Sequence, residues 1–160
     1  MRNKIILTLL YCFISCSALA EENKADSVAG TIQYNINKSN HQCEFLLNNK
    51  VILNFDCGFS YTPQLLGTYN GSFGEFIQVL IFQESPMGNA CNGGSLHLIG
   101  IRKDKSQLII KPIDFCGGAD PAITNTQNSI NITFPGGPPN IGEGTIPTES
   151  WVFNGKLTKN

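Results

Sequence analysis

Histidine is scarce in this chain of 160 residues: His41 and His97 are the only two, and neither stands in a recognisable motif. A nucleophile needs a base within hydrogen-bond reach, so nucleophilic catalysis has little to draw on. His97 falls in an alternating run and faces away from Leu96 and Leu98, which suits a solvent-facing or hydrogen-bonded strand histidine. His41 sits in a polar turn beside Cys43, where solvation accounts for it.

Other absences narrow the field further. No two cysteines after residue 20 have the Cys-x2-Cys spacing of a structural zinc site, and Asp114, Asp120 and Asn125 do not match a calcium loop. No glycine pattern for a nucleotide phosphate follows a strand and opens a helix. Glu75, Glu84, Glu143 and Glu149 are the candidates for a pair of glycosidase carboxylates, but each falls at a strand end or in a loop, where glutamates serve solubility. The expectation is a protein that is not an enzyme, with no catalytic residue, no metal and no cofactor.

There is also no basic run and no second apolar stretch of membrane-spanning length. Residues 1–20 read as a signal peptide. Arg2 and Lys4 start it, residues 5–14 are apolar, and Ala18-Leu19-Ala20 forms a small-x-small cleavage site. Phe13 and Ser15 fit the lipid-attachment box around Cys16 poorly, so cleavage after Ala20 is preferred to lipid anchoring. Loss of these residues removes two of the 11 basic residues and no acid, leaving nine against 12 acidic ones. That balance gives no electrostatic reason to bind nucleic acid or anionic lipid. A periplasmic or secreted product without a transmembrane segment follows. Residues 21–28 are polar and expected to fray, and residues 29–160 form one domain.

What is present is strand pattern. Residues 30–36 alternate apolar and polar. Residues 43–47 and 51–57, joined by Asn48-Asn49-Lys50, read as a hairpin, because Asn tolerates the positive φ of tight turns. An Asn70-Gly71 turn leads into residues 76–83, a run apolar on both faces except at Gln78, as in a strand buried from both sides. Residues 95–101 and 107–113 form a second hairpin, and residues 129–134 and 150–153 supply later strands. The fold class is all-β: one antiparallel sandwich or barrel of about seven to nine short strands.

Four cysteines remain after export, Cys43, Cys57, Cys91 and Cys116, and an even count in an exported protein implies two disulfides. Of the three connectivities, Cys43 with Cys57 and Cys91 with Cys116 is favoured, since each pair flanks the open end of a hairpin. With Cys43 opposite Phe55, Cys57 is its diagonal neighbour, and a bulge or shifted register is needed to close the bridge.

Residues 88–95, Gly-Asn-Ala-Cys-Asn-Gly-Gly-Ser, look most like the wall of an active site. Cys91-Asn92-Gly93-Gly94 resembles a segment of papain-like proteases in which the cysteine is a disulfide partner, yet that family's Cys-Gly-Ser-Cys-Trp nucleophile signature is absent. The stretch reads as a turn whose cysteine is pinned to Cys116. A wider resemblance rests on residues 79–91 (VLIFQESPMGNAC), Phe115-Cys116-Gly117 and the close Phe153-Asn154-Gly155-Lys156-Leu157. These segments resemble a loose group of small exported bacterial β-proteins without an established activity, and the resemblance implies the Cys91–Cys116 bridge and no catalytic residue.

The connection of residues 135–147 is long and rich in Pro and Gly, which makes Pro135, Pro138, Pro139, Asn140, Ile141 and Glu143 a candidate binding loop. The sequence thus suggests a non-enzymatic exported β-domain that binds another protein of the cell envelope, as an inhibitor or immunity protein does. The alternative is a small-ligand carrier whose barrel encloses a cavity lined by Phe45, Phe55, Phe76, Phe82, Phe115 and Trp151.

Overall fold

The computed structural model describes residues 23–37, 39–58, 60–88, 91 and 93–160. The signal peptide and Cys16 lie outside them. Among the described residues no helix is long and apolar enough to cross a membrane. Twelve strands make three antiparallel sheets of four, each a meander of consecutive strands. The first sheet holds β1 (Lys24–Ser27), β2 (Gly30–Asn37), β3 (Gln42–Leu47) and β4 (Lys50–Asp56). The second holds β5 (Ser60–Phe73), β6 (Phe76–Pro86), β7 (Leu96–Arg102) and β8 (Gln107–Ile113). The third holds β9 (Ala122–Asn125), β10 (Ile130–Phe134), β11 (Glu149–Phe153) and β12 (Leu157–Lys159).

The second sheet is the middle layer. Successive side chains on a strand point to opposite faces, and on β6 both faces are buried. Val79 and Ile81 pack with Leu96, Leu98, Ile130, Ile132, Phe134 and Phe153 against the third sheet. Leu80 and Phe82 pack with Ile99, Ile101, Ile32, Phe45 and Leu47 against the first. The all-β class and both disulfides stand, but the single sandwich or barrel of seven to nine strands gives way to three stacked sheets. A strand apolar on both faces needs a layer on each side, and a two-layer sandwich supplies only one.

Two expectations are corrected at the level of elements, and β5, β9 and β12 add strand that the periodicity does not show. Lys24–Ser27, expected to fray, pair with β2 from Lys24↔Gln33 to Ser27↔Gly30. β9 and β12 lack a strand signal of their own but extend the third sheet at its two edges. β5 runs for 14 residues through Pro63, a residue that argues against a central strand but is tolerated at an edge. Finally, Asn70-Gly71 is not the turn into β6. It forms a bulge between the pairs Asn70↔Gln78 and Phe73↔Phe76, and the turn falls at Gly74-Glu75. A Cβ at Gly71 would stand 2.6 Å from the Gln127 carbonyl oxygen, so glycine here admits the loop whose carbonyl accepts from the Ser72 amide at 2.7 Å.

The first hairpin closes as its asparagines dictate. Asn48 and Asn49 adopt φ of 51° and 66°, the positive values of a two-residue type I′ turn. The Asn48 side chain also reaches β2, accepting from the Thr31 amide at 3.2 Å and donating to the Ala29 carbonyl at 2.9 Å. Cys43 faces Phe55, and the bulge lies on the turn side of Phe45. Cys57, just past β4, donates its amide to the His41 carbonyl at 3.0 Å and bridges to Cys43 with Cα atoms 5.7 Å apart.

Leu80→Ala and Ile81→Ala remove adjacent side chains that point into opposite cores, both fully buried. Each is expected to lower the unfolding free energy by about 2–5 kcal/mol. Urea titration followed by circular dichroism should show one transition in both variants, and a separate early transition in either would mean that the layers unfold independently.

Candidate functional site

The β10–β11 connection is fastened at its base and open at its tip. Gly137 and Ile146 exchange two backbone hydrogen bonds, at 3.0 and 2.8 Å, and the Thr148 hydroxyl donates to the Pro135 carbonyl at 2.8 Å. The Ala119 amide donates to the Gly136 carbonyl at 3.0 Å, which ties the loop to the segment that follows Cys116. Phe115 stacks on Phe134 with ring centroids 4.9 Å apart, beside a small cavity of about 140 Å³ that Ile146 and Pro147 also line. The Cys91–Cys116 bridge, Cα atoms 4.6 Å apart, anchors that segment to the open end of the β7–β8 hairpin. Pro135 at the base is exposed, as are Pro138, Asn140 and Glu143 beyond it, and Pro139 is half-buried. Ile141, 68% exposed, is the most exposed large hydrophobic residue described.

In the stretch of residues 88–95, Asn89, Ala90 and Asn92 lie outside the described residues. Gly93 and Gly94 serve close approach to β6, whereas Gly88, at φ 102° with open space around it, serves a bend. The Gly94 amide donates to the Glu84 carbonyl at 2.8 Å and the Glu84 amide to the Ser95 carbonyl at 3.0 Å. A Cβ at Gly94 would stand 2.5 Å from that of Glu84. Gly94 and Ser95 therefore lie along the end of β6, and Cys91 is held by its disulfide.

Beneath it lies a pair that the sequence does not reveal. His97, 4% exposed, hydrogen-bonds through Nε2 to the Glu84 carboxylate. Phe82 is the cross-strand partner of His97, which puts Glu84 diagonally across from it on the same face. The rings of Phe55 and Phe45 cover the imidazole, with centroids 4.5 and 5.7 Å away, while Nδ1 is buried without a partner. His97 is thus the hydrogen-bonded strand histidine and not the solvent-facing one. Enclosed by aromatic rings, the pair has the setting of a structural contact between the first and second sheets. The register of β6 on β7 was the missing signal, since their connection carries no hairpin signature.

Tyr34 shares this core and donates to Cys43 Sγ at 2.7 Å. Burial, with a smaller push from the negative charge of Glu84, raises its phenol far above the ordinary range. The remaining glutamates lie at the surface. Arg102 forms two hydrogen bonds to Glu75, at 2.6 and 3.1 Å, which hold that carboxyl below its usual range. Lys159 does the same for Glu149 at 2.7 Å. These pairs bridge strand ends, and Glu149 also lines the cavity beside Phe115 and Phe134.

No protein-family model, curated protein or solved structure matches the chain. Of the aromatics expected to line a carrier's cavity, Phe45, Phe76 and Phe82 are buried in the interlayer cores, Phe55, Phe115 and Trp151 pack against those cores, and Phe115 also lines the 140 Å³ cavity. Phe45 packs on Phe82 at 4.9 Å and on Phe55 at 6.0 Å, and Phe76 packs on Phe153 at 5.7 Å.

Two outcomes test this account. Glu84→Ala strands the His97 imidazole among aromatic rings and is expected to cost about 1–3 kcal/mol. Glu84→Leu combined with His97→Phe, which removes both partners, should recover most of that loss in the same urea titration. For Tyr34 the sign follows from its raised pKa. The stability is fully present below the unfolded value near pH 10 and is lost as pH rises above it. Wild-type stability should fall more steeply above about pH 10 than that of Tyr34→Phe, by about 1.4 kcal/mol per pH unit. Equal slopes would mean that Tyr34 ionises in the folded protein.

Proposed function

We propose that the mature chain is an exported, non-enzymatic β-domain that binds another protein of the cell envelope through residues 135–147, in the manner of an inhibitor or immunity protein. The observation that carries this reading is Ile141, 68% exposed at the tip of a loop with a fastened base. An exposed aliphatic side chain costs little on the surface but gains on the order of 1.5–3 kcal/mol when a partner's pocket buries it. The prolines limit the conformations that the loop loses on binding, so more of that gain remains as affinity. Export is supported by the cleavage site after Ala20 and by two disulfides, which persist in oxidising compartments. The protein-binding reading is favoured over a carrier, because the described strands form three four-stranded sheets and no closed barrel and Phe45, Phe76 and Phe82 are buried in the cores.

The test compares two baits, the wild-type mature chain and Ile141→Asp, against periplasmic extract of the source cells. Wild type is expected to retain one protein in stoichiometric amount, and the variant to weaken that complex at least about tenfold, the 1.4 kcal/mol of a lost buried side chain. The melting temperature should be unchanged, since the substituted side chain is already in water. Equal capture by both baits, or no stoichiometric partner, overturns the reading.

A further inference from the structure

The solvent face of the first sheet carries a second surface. The register sets Asn35, Glu44 and Asn54 in one row across β2, β3 and β4, with Asn37, Gln42 and Asp56 in the next. All six point away from the core, because their neighbours Ile36, Cys43, Phe45 and Phe55 point into it. A cleft of about 690 Å³ covers five of the six positions, all but Asp56, and extends to Asn40 and Asn23. That is the size range of small-ligand sites.

Solubility does not explain this choice of residues. Asn and Asp are depleted in strands, yet four of the six grid positions hold them. Local rules broken in this way tend to mark functional positions. The side chains of Asn35, Gln42, Glu44 and Asn54 have no hydrogen-bond partner in the protein among the described residues. Asn37 and Asn40 are partly engaged. Their Oδ1 atoms accept from Ser39, at 3.1 and 2.6 Å, and from the Gln42 amide at 3.2 Å, which leaves their NH2 groups to donate outward.

A side-chain amide offers a donor pair and an acceptor in one plane, and a carboxylate offers acceptors only. Together they match vicinal hydroxyl groups, each of which donates once and accepts. Among the described residues lining the cleft, Glu44 carries the sole charge, which disfavours an anionic ligand. Neighbouring strands lie about 4.8 Å apart, comparable with the advance of one pyranose ring along an extended glycan. We infer that this face binds a linear neutral oligosaccharide laid across β2, β3 and β4, with Asn35, Gln42, Glu44 and Asn54 as its hydrogen-bonding partners. Tyr34, the aromatic residue of the lining, is turned into the core and 4% exposed, so no ring stacking adds to the hydrogen bonds.

The experiment records the side-chain amide resonances of the 15N-labelled mature protein during titration with chitotetraose, cellotetraose and maltotetraose. Tetragalacturonate and tetraglycine serve as anionic and peptide controls. At least one neutral tetrasaccharide is expected to shift the Asn35, Gln42 and Asn54 signals. Asn35→Val combined with Asn54→Val should weaken that binding roughly tenfold or more, the loss of two hydrogen bonds. Valine favours strands, so the melting temperature of this variant should stay level or rise. The inference is overturned if no neutral tetrasaccharide shifts these signals, if either control shifts them as strongly, or if the valine variant binds as well as wild type.

Discussion

A strand that is apolar on both faces has to be covered twice, and β6 imposes that demand on the whole chain. Val79 and Ile81 require one sheet, Leu80 and Phe82 another, and β7 repeats the demand with Leu96 and Leu98 against Ile99 and Ile101. Two cores result, each about the thickness of a sandwich interior, from a chain of single-domain length. The outer sheets can then be narrow meanders with one wet face apiece. Neither has a strand whose two faces are both apolar, so neither can exchange places with the middle layer.

Covalent links and tight turns act at the ends of these layers. Cys43–Cys57 closes the open end of the β3–β4 hairpin, and its sulfurs belong to the core that β6 shares with the first sheet. Cys91–Cys116 instead lies outside both cores. It holds the segment after β8 where Ala119 can bond to Gly136, and so it steadies a loop that belongs to the third sheet. In the chain-entropy account each bridge contributes on the order of 3 kcal/mol by restricting the unfolded state, but only the second one also positions a surface.

The sequence conveyed the strands wherever burial was one-sided and turns were local. It placed the β3–β4 and β7–β8 hairpins, both disulfide pairs and the double burial of β6, because these depend on period-two patterning and on short turns rich in Asn or charge. It failed where a tertiary neighbour decides. Asn70-Gly71 has the chemistry of a turn, but the approach of the Gln127 carbonyl makes it a bulge. β9 and β12 are strands through pairing with β10 and β11, without a pattern of their own. The double burial of β6 already implies a third layer, but the number of sheets is not a local property and period-two patterning does not count them. For the same reason the candidate loop was legible from its prolines and glycines, whereas Glu84–His97 and the amide grid were not. Both exist only once strand register brings distant residues onto one face.

That register also separates the two surfaces proposed for recognition. The grid belongs to the first sheet and the loop to the third, and the middle sheet lies between them with its two faces in different cores. A ligand on one outer layer neither overlaps the other site nor shares a side chain with it. Coupling between them would have to pass through β6 and β7, whose side chains are buried on both faces. The physical expectation is therefore additive occupancy. A glycan held weakly on one side would raise the local concentration of the loop near the envelope without altering its intrinsic affinity for a protein, which is how two modest interactions on one rigid body combine.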